Sequence, residues 1–266
     1  MNLKLGSTGD LVRQLEHLLV IEGYPLAEDG VFDTDTEQAV KSYQKRIGLV
    51  VDGIAGDKTV ATLLVRTKHP KHLSQRDIVN AAKELDVPVA SVLAVNEVES
   101  IGSGFFNDGR PAILFERHVM YKRLQVNSAQ DPDLLAEKYP NLVNKVRGGY
   151  KGGSAEYSRL ASAKQIDEVS AIESCSWGAF QIMGYHWQVL GYASAADFME
   201  KMNQGESCHL EAFVKFIQID PALHKALKAK KWADFARLYN GPAYKDNFYD
   251  IKLARAYERH AESATA

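Results

Sequence analysis

Apolar residues recur at three- and four-residue intervals along most of this chain, and the intervals predict a succession of short amphipathic helices. Leu11, Leu15, Leu18 and Leu19 line one face of the first. Ala39, Val40, Tyr43 and Ile47 line the second, preceded by Thr34-Asp35-Thr36-Glu37 at capping-box spacing. A third begins near Asp57 with Val60, Leu63 and Leu64. Asp29-Gly30-Val31-Phe32-Asp33 recurs as Asp52-Gly53-Ile54-Ala55-Gly56, each a turn that feeds a helix, so residues 1–65 read as a three-helix bundle. The basic, polar run Arg66-Thr67-Lys68-His69-Pro70-Lys71-His72 reads as a linker over 66–73. Ser74 then caps a helix carrying Ile78, Ala81, Ala82 and Leu85, which ends before Pro88.

Pro88 opens a helix with Val89, Val92, Leu93, Val95 and Val98, apolar nearly all round and therefore buried, which Gly102 and Gly104 stop. Phe105-Phe106-Asn107-Asp108-Gly109-Arg110 followed by Ala112-Ile113-Leu114-Phe115 predicts two short strands joined by an Asp-Gly turn. Residues 127–170 read as a large insertion or lid, with Arg147 to Gly153 a mobile loop and Ser154 the start of another helix. Ser194 and Asp220-Pro221 start later helices, and Trp232 to Tyr239 is the final core segment, ending at Asn240-Gly241. The fold class expected is mostly α, with one small β-hairpin in the second domain.

Composition narrows the classes. A chain of 266 residues with 45% hydrophobic side chains can bury real cores. A net charge of −2 and a pI near 6.5 give no general reason to expect nucleic acid or an anionic membrane as partner. No segment is long and apolar enough to span a bilayer, and Met1 to Asp10 lacks the apolar core of a secretory signal, so retention in the cytoplasm until release is expected. Cys175 and Cys208 are too few for a disulfide framework and do not fall at metal-ligand spacing; two free, buried thiols, no metal and no organic cofactor are expected.

Three motifs carry candidate chemistry: Ala94-Val95-Asn96-Glu97-Val98-Glu99-Ser100, Ser176-Trp177-Gly178-Ala179-Phe180-Gln181-Ile182-Met183-Gly184, and Leu238-Tyr239-Asn240-Gly241-Pro242. An acid near the end of an apolar helix, a Gly-x-x-Gln-Ile turn and a helix closing on Tyr-Asn-Gly resemble, in this order, the lysozyme-like superfamily that cuts peptidoglycan. Residues 1–65 resemble the peptidoglycan-binding domain of wall hydrolases, through Gly6, Gly9, Val12 and Leu15, Asp29-Gly30-x-Phe32, Ala39-Val40-x-x-Tyr43-Gln44, and Asp52-Gly53-Ile54-x-Gly56. That resemblance implies glycan binding, with Asp29, Phe32, Tyr43 and Asp52 as candidate contacts, though folding alone also accounts for them. The whole chain is similar to phage endolysins that join such a domain, here 1–65, to an N-acetylmuramidase domain, here 74–266. Glu97 to Ser100, Phe115-Glu116-Arg117-His118 and Ser176 to Gly184 carry the match. The spacing departs from that of the transglycosylases, since 82 residues separate Glu99 from Gln181.

Cleaving a glycosidic bond requires a proton for the departing oxygen, and a carboxylic acid supplies it near neutral pH only if burial raises its pKa. Glu99 suits the role: it lies on an apolar helix near its C-terminus, where the dipole disfavours ionisation, and the superfamily's acid precedes a Ser, as Glu99 precedes Ser100. Glu97, two residues away, points in nearly the opposite direction. Glu173-Ser174, eight residues before Gln181, ranks between them. A second carboxylate is sought in Asp108, nine residues after Glu99, though Gly109 after it favours a hairpin-turn residue, or in Glu116, which Arg117 or another cation alternatively holds as a structural pair; a single essential carboxylate is the other reading. Gln181 offers an amide for acetamido groups and Trp177 an aromatic face for a sugar or a core plug, while Tyr239, Asn240 and Ser100 complete the substrate-side set.

The resemblance implies hydrolysis of the β-1,4 bond between N-acetylmuramic acid and N-acetylglucosamine for host lysis. It also implies a monomer that waits in the host cytoplasm, reaches the wall through holin-made holes and takes peptidoglycan strands as its partner, with neither nucleic acid nor stable membrane insertion. The alternatives are a lytic transglycosylase forming 1,6-anhydro ends and a non-catalytic wall-binding protein.

Overall fold

A computed structural model describes residues 2–65, 70–100 and 103–262. Arg66 to His69 of the expected linker, and the helix-stopping Gly102, lie outside the described residues. Contacts divide the chain into two compact units, Met1–Ser103 with Ala222–Ala266, and Gly104–Pro221.

The first unit opens with α1 (Asp10–Ile21), α2 (Thr34–Ile47) and α3 (Asp57–Val65), packed around Val12, Leu15, Leu19, Phe32, Val40, Tyr43 and Leu63. Single bridges, Leu3 to Ala55 and Thr8 to Val31, tie the loops together. The two Asp-Gly turns are built alike: Asp29 accepts from the Val31 N–H and Asp52 from the Ile54 N–H, both at 2.9 Å, while Gly30 and Gly53 take left-handed φ of 80° and 72°. Three local expectations shift. Val12 and Glu16 face the core in place of Leu11; Thr59 and Thr62 do so in place of Leu64; and Asp33, not Thr34, caps α2, accepting from the Thr36 N–H. Phe32 and Tyr43 are fully buried, which removes both as glycan contacts and makes them core side chains.

In α4 (Gln75–Leu85), the Asp77 carboxylate accepts from the Ser74 N–H at 2.8 Å, the reciprocal half of a capping box. Pro88 precedes α5 (Val89–Glu99), whose residues from Ala90 to Val95 are all buried.

The second unit carries β1 (Ile113–Phe115), α6 (Arg117–Asn127), α7 (Pro132–Lys138), α8 (Glu156–Lys164), α9 (Glu168–Glu173), β2 (Cys175–Trp177), β3 (Ile182–Met183), α10 (Ala195–Gln204) and α11 (Glu206–Gln218). The sheet is antiparallel in the order β1-β2-β3, with Ile113 opposite Trp177 and Ser176 opposite Met183. The expected hairpin over 105–115 is therefore corrected. Its Asp-Gly turn forms, closed by Phe106 and Arg110 and by a single bridge from Phe105 to Pro111, but residues 113–115 pair with 175–177.

The stretch 127–170 is corrected as well. Within it, α8 packs on β1 and α9 and buries Leu160 and Ala163, so it belongs to the unit's core. The Gly-rich loop is pinned: Arg117 donates to the carbonyls of Pro140, Val146 and Arg147, and Glu116 accepts from Arg147 and Tyr150. Cys175 is buried and Cys208 half-buried, both as free thiols.

After α12 (Pro221–Lys228) the chain is back in the first unit with α13 (Trp232–Asn240) and α14 (Tyr249–Glu262). The sequence reading ended the core at Tyr239, yet α14 packs along α5 and buries Leu253, Ala256 and His260.

Candidate functional site

Burial of the preceding turns of α5 leaves Glu99 at the rim of an apolar interior, as the last helical residue, with Ser100 as its C-cap. Asn240, the last residue of α13, donates from Nδ2 to Glu99 Oε1 at 3.0 Å. Gly241 follows at φ 81° and ends that helix, which fixes the position of Asn240. Burial pushes the Glu99 carboxyl up to about 7, against the opposing pull of the Asn240 bond and the Lys252 charge. The neighbouring Tyr239 hydroxyl is raised, first by burial and then by the Glu99 charge. A carboxyl set near neutrality and hydrogen-bonded by a neutral amide both donates a proton and has its resulting charge received.

Glu97, on the opposite side of α5, has the reverse setting. Lys4 Nζ lies 3.1 Å from Oε1 and His260 Nε2 3.0 Å from Oε2, with Arg259 bonded to the same oxygen. Burial works against ionisation, but the His260 bond and the Arg259 and Lys4 charges outweigh it and bring the carboxyl down to about 2. Glu97 is thus ionised near neutral pH, and is no proton donor there. A cavity of about 140 Å3 adjoins it, lined by Asn96, Glu97 and Ser100 from α5's end and by Gln44 and Asp52 from the bundle. Asp52 accepts from Gln44 Nε2 at 2.7 Å, and burial raises its carboxyl. Asp29 is exposed, its carboxylate turned to its own loop.

In the second unit, the turn from Gly178 to Gln181 joins β2 to β3, with Gln181 itself left-handed at φ 51°. The Gln181 amide braces that turn, accepting from Ser176 Oγ at 2.7 Å and donating to the Gly178 carbonyl at 2.9 Å. Trp177 is 1% exposed and donates to the Ile172 carbonyl, so the expectation that it stacks on a sugar is corrected: it plugs the core. Glu173 is equally buried and saturated, accepting from Arg123 and Asn127 at 2.6 Å and from Trp187 at 2.7 Å. Glu116, also buried, is held by Arg147 at 2.9 Å and Tyr150 at 2.7 Å. Asp108 sits on the exposed turn in a two-pronged pair with Arg110, which holds its carboxyl below the usual range. Glu99, Tyr239, Asn240 and Ser100 thus fall in the first unit and Gln181, Trp177, Glu173, Glu116 and Asp108 in the second.

Sequence reasoning passed over Glu206 and His209 of α11. Glu206 is fully buried and accepts from the Gly104 N–H at 2.8 Å, and His209 Nδ1 accepts from the Ala179 N–H at 3.1 Å. A Cβ at Gly104 or Gly178 would lie 2.5 Å from the His209 ring, so these two glycines were the readable signal of a close neighbour.

Residues 88–261 match the family described as N-acetylmuramidase, and residues 8–63 match a peptidoglycan-binding domain. Among solved structures, the Burkholderia AP3 phage endolysin superposes with a TM-score of 0.94 at 50% identity, over 98% of this chain and 100% of that one. An N-acetylmuramoyl-L-alanine amidase of Bacillus licheniformis is 38% identical over 74 residues, 26% of this chain and 21% of that protein. A zinc D-Ala-D-Ala carboxypeptidase of Streptomyces albus G is 45% identical over 62 residues, 21% and 24% of the respective chains. The chain thus spans less than a third of the length of these two curated relatives.

Proposed function

The chain belongs to the N-acetylmuramidase family, and from that membership we propose that it is a peptidoglycan-lytic endolysin, a glycoside hydrolase cutting the β-1,4 bond between N-acetylmuramic acid and N-acetylglucosamine. The observation that carries the reading is the setting of Glu99, half-buried, with its carboxyl raised to about 7 and hydrogen-bonded by Asn240. Glu99 protonates the departing glycosidic oxygen. As its proton leaves, the carboxylate charge is received by the Asn240 N–H, and the sugar develops oxocarbenium character. Water adds to that carbon and gives up a proton, which restores Glu99.

One essential carboxylate suffices in this scheme. Its support is that Glu173, Glu116 and Asp108 are each committed to a neighbouring cation. We assign residues 1–65 to wall binding, 66–73 to a linker and 74–266 to catalysis, with Gln181 and Ser100 on the substrate side. The protein acts as a monomer on peptidoglycan strands, held in the host cytoplasm until holin-made openings admit it to the wall.

The test is mass spectrometry of unreduced products from purified peptidoglycan. Reducing N-acetylmuramic acid ends are expected. Products lighter by one water would make the protein a lytic transglycosylase, and an undigested wall would leave only binding.

A further inference from the structure

We propose that Glu97 is a positioning residue for the acid: it cancels the cations that α14 and the N-terminal segment bring against the last turn of α5, so that Glu99 retains its proton. The inference rests on the reading of Glu99 as the acid.

Its basis is the charge inventory around that turn. Lys4 arrives from the N-terminal segment, which Leu3 pairs to Ala55 in the bundle. Arg259 and His260 arrive from α14, the helix packed along α5. All three converge on Glu97, which stands two residues, about 3 Å of helix rise, before Glu99. Among the described residues, the other charged or titratable groups facing this region include Asp52, Asp57 and Lys58 of the bundle, the last two opposite in charge, Tyr239 of α13, and Tyr249 and Lys252 of α14. Of these, Lys252 acts on Glu99 directly, and it acts to ionise it.

With Glu97 in place, the Lys4–Arg259–Glu97 group carries one net positive charge. Without it the same group carries two, and a cation within about 10 Å in a partly desolvated setting favours the carboxylate form of Glu99. The side chains of Glu97, Arg259 and His260 are all more than three-quarters buried, so solvent screens this charge only in part. The arrangement also makes the bundle a contributor to the acid's environment, since Lys4 is one of the balanced charges.

The expected result for Glu97→Gln is a basic limb of the pH–rate profile lowered by about one pH unit, with activity at pH 5 nearly kept and activity at pH 7 several-fold down. The double variant Glu97→Gln/Arg259→Gln restores the wild-type charge count and should return the limb, which loss of a merely structural bond would not do. Carboxyl-carbon NMR of Glu99 in the full chain reads the same shift without activity. An activity-retaining Glu99→Gln would sink the acid assignment, while the NMR titration still decides whether Glu97 governs Glu99. A limb and a titration that stay put in Glu97→Gln overturn the proposal. If that variant does not fold, Lys4→Met, at a half-exposed side chain, reads the coupling in the other direction: an upward move supports it and no move overturns it.

Discussion

Two glutamates of one helix, two residues apart, differ in carboxyl setting by several pH units, from about 2 at Glu97 to about 7 at Glu99. Both are partly buried, so partners rather than burial alone separate them: two cations and a histidine at Glu97, one neutral amide at Glu99. The pair imposes opposite pH dependences on stability. Glu97 has a depressed folded value, so it contributes stability above the unfolded carboxylate range, and the contribution is lost as pH falls towards 2. Glu99 has a raised folded value, so its ionisation costs stability as pH rises from about 4.5 to about 7. Glu99→Gln keeps an acceptor for Asn240 and removes that cost. Thermal or urea unfolding should find the variant equal to the wild type near pH 4.5 and more stable by up to about 2–3 kcal/mol at pH 8. Equal stabilities at pH 8 would contradict the burial of this carboxyl.

At the scale of elements, the readable parts were those whose signals are local. The cap at Ser74, the proline before α5 and the glycine after α13 delimit their helices as expected, and the apolar run of α5 is buried as its composition demands. What failed was non-local. β1 is three residues long and pairs with a strand some sixty residues onward, which no window of sequence reveals. α14 hides its Leu253, Ala256 and His260 stripe among charged neighbours. Among the candidate residues, the isolation of Glu99 from Glu97 followed from helical geometry, whereas the roles of Glu173 and Trp177 depended on partners brought in by α6 and the core of the second unit. Glu173 closes α9 onto α6 through Arg123 and Asn127. Glu173→Ala leaves the Arg123 guanidinium without its carboxylate and is expected to cost about 3 kcal/mol or more in unfolding free energy. Cleavage per folded molecule should change little; a properly folded but inactive variant would instead move the acid to Glu173.

For the whole molecule, the decisive feature is that the chain leaves the first unit after Ser103 and re-enters it at Ala222, so that Glu99 and Asn240 meet across 141 residues of sequence. The N-terminal bundle joins the same unit, through Lys4 on Glu97 and the Val51 N–H on Gln75 Oε1 at 2.9 Å. Binding and cleaving parts in one chain raise the local concentration of acid at the wall. A chain of residues 74–266 is expected to cut soluble glycan fragments and to bind sedimented cell walls about tenfold or more weakly than the full protein; undiminished wall binding would reassign the bundle. The central claim is that one carboxyl supplies the proton. The direct measurement is the initial rate of release of reducing ends from purified peptidoglycan by the wild type and by Glu99→Gln, both shown folded. A loss of about 100-fold or more is expected, and an unchanged rate would contradict the assignment.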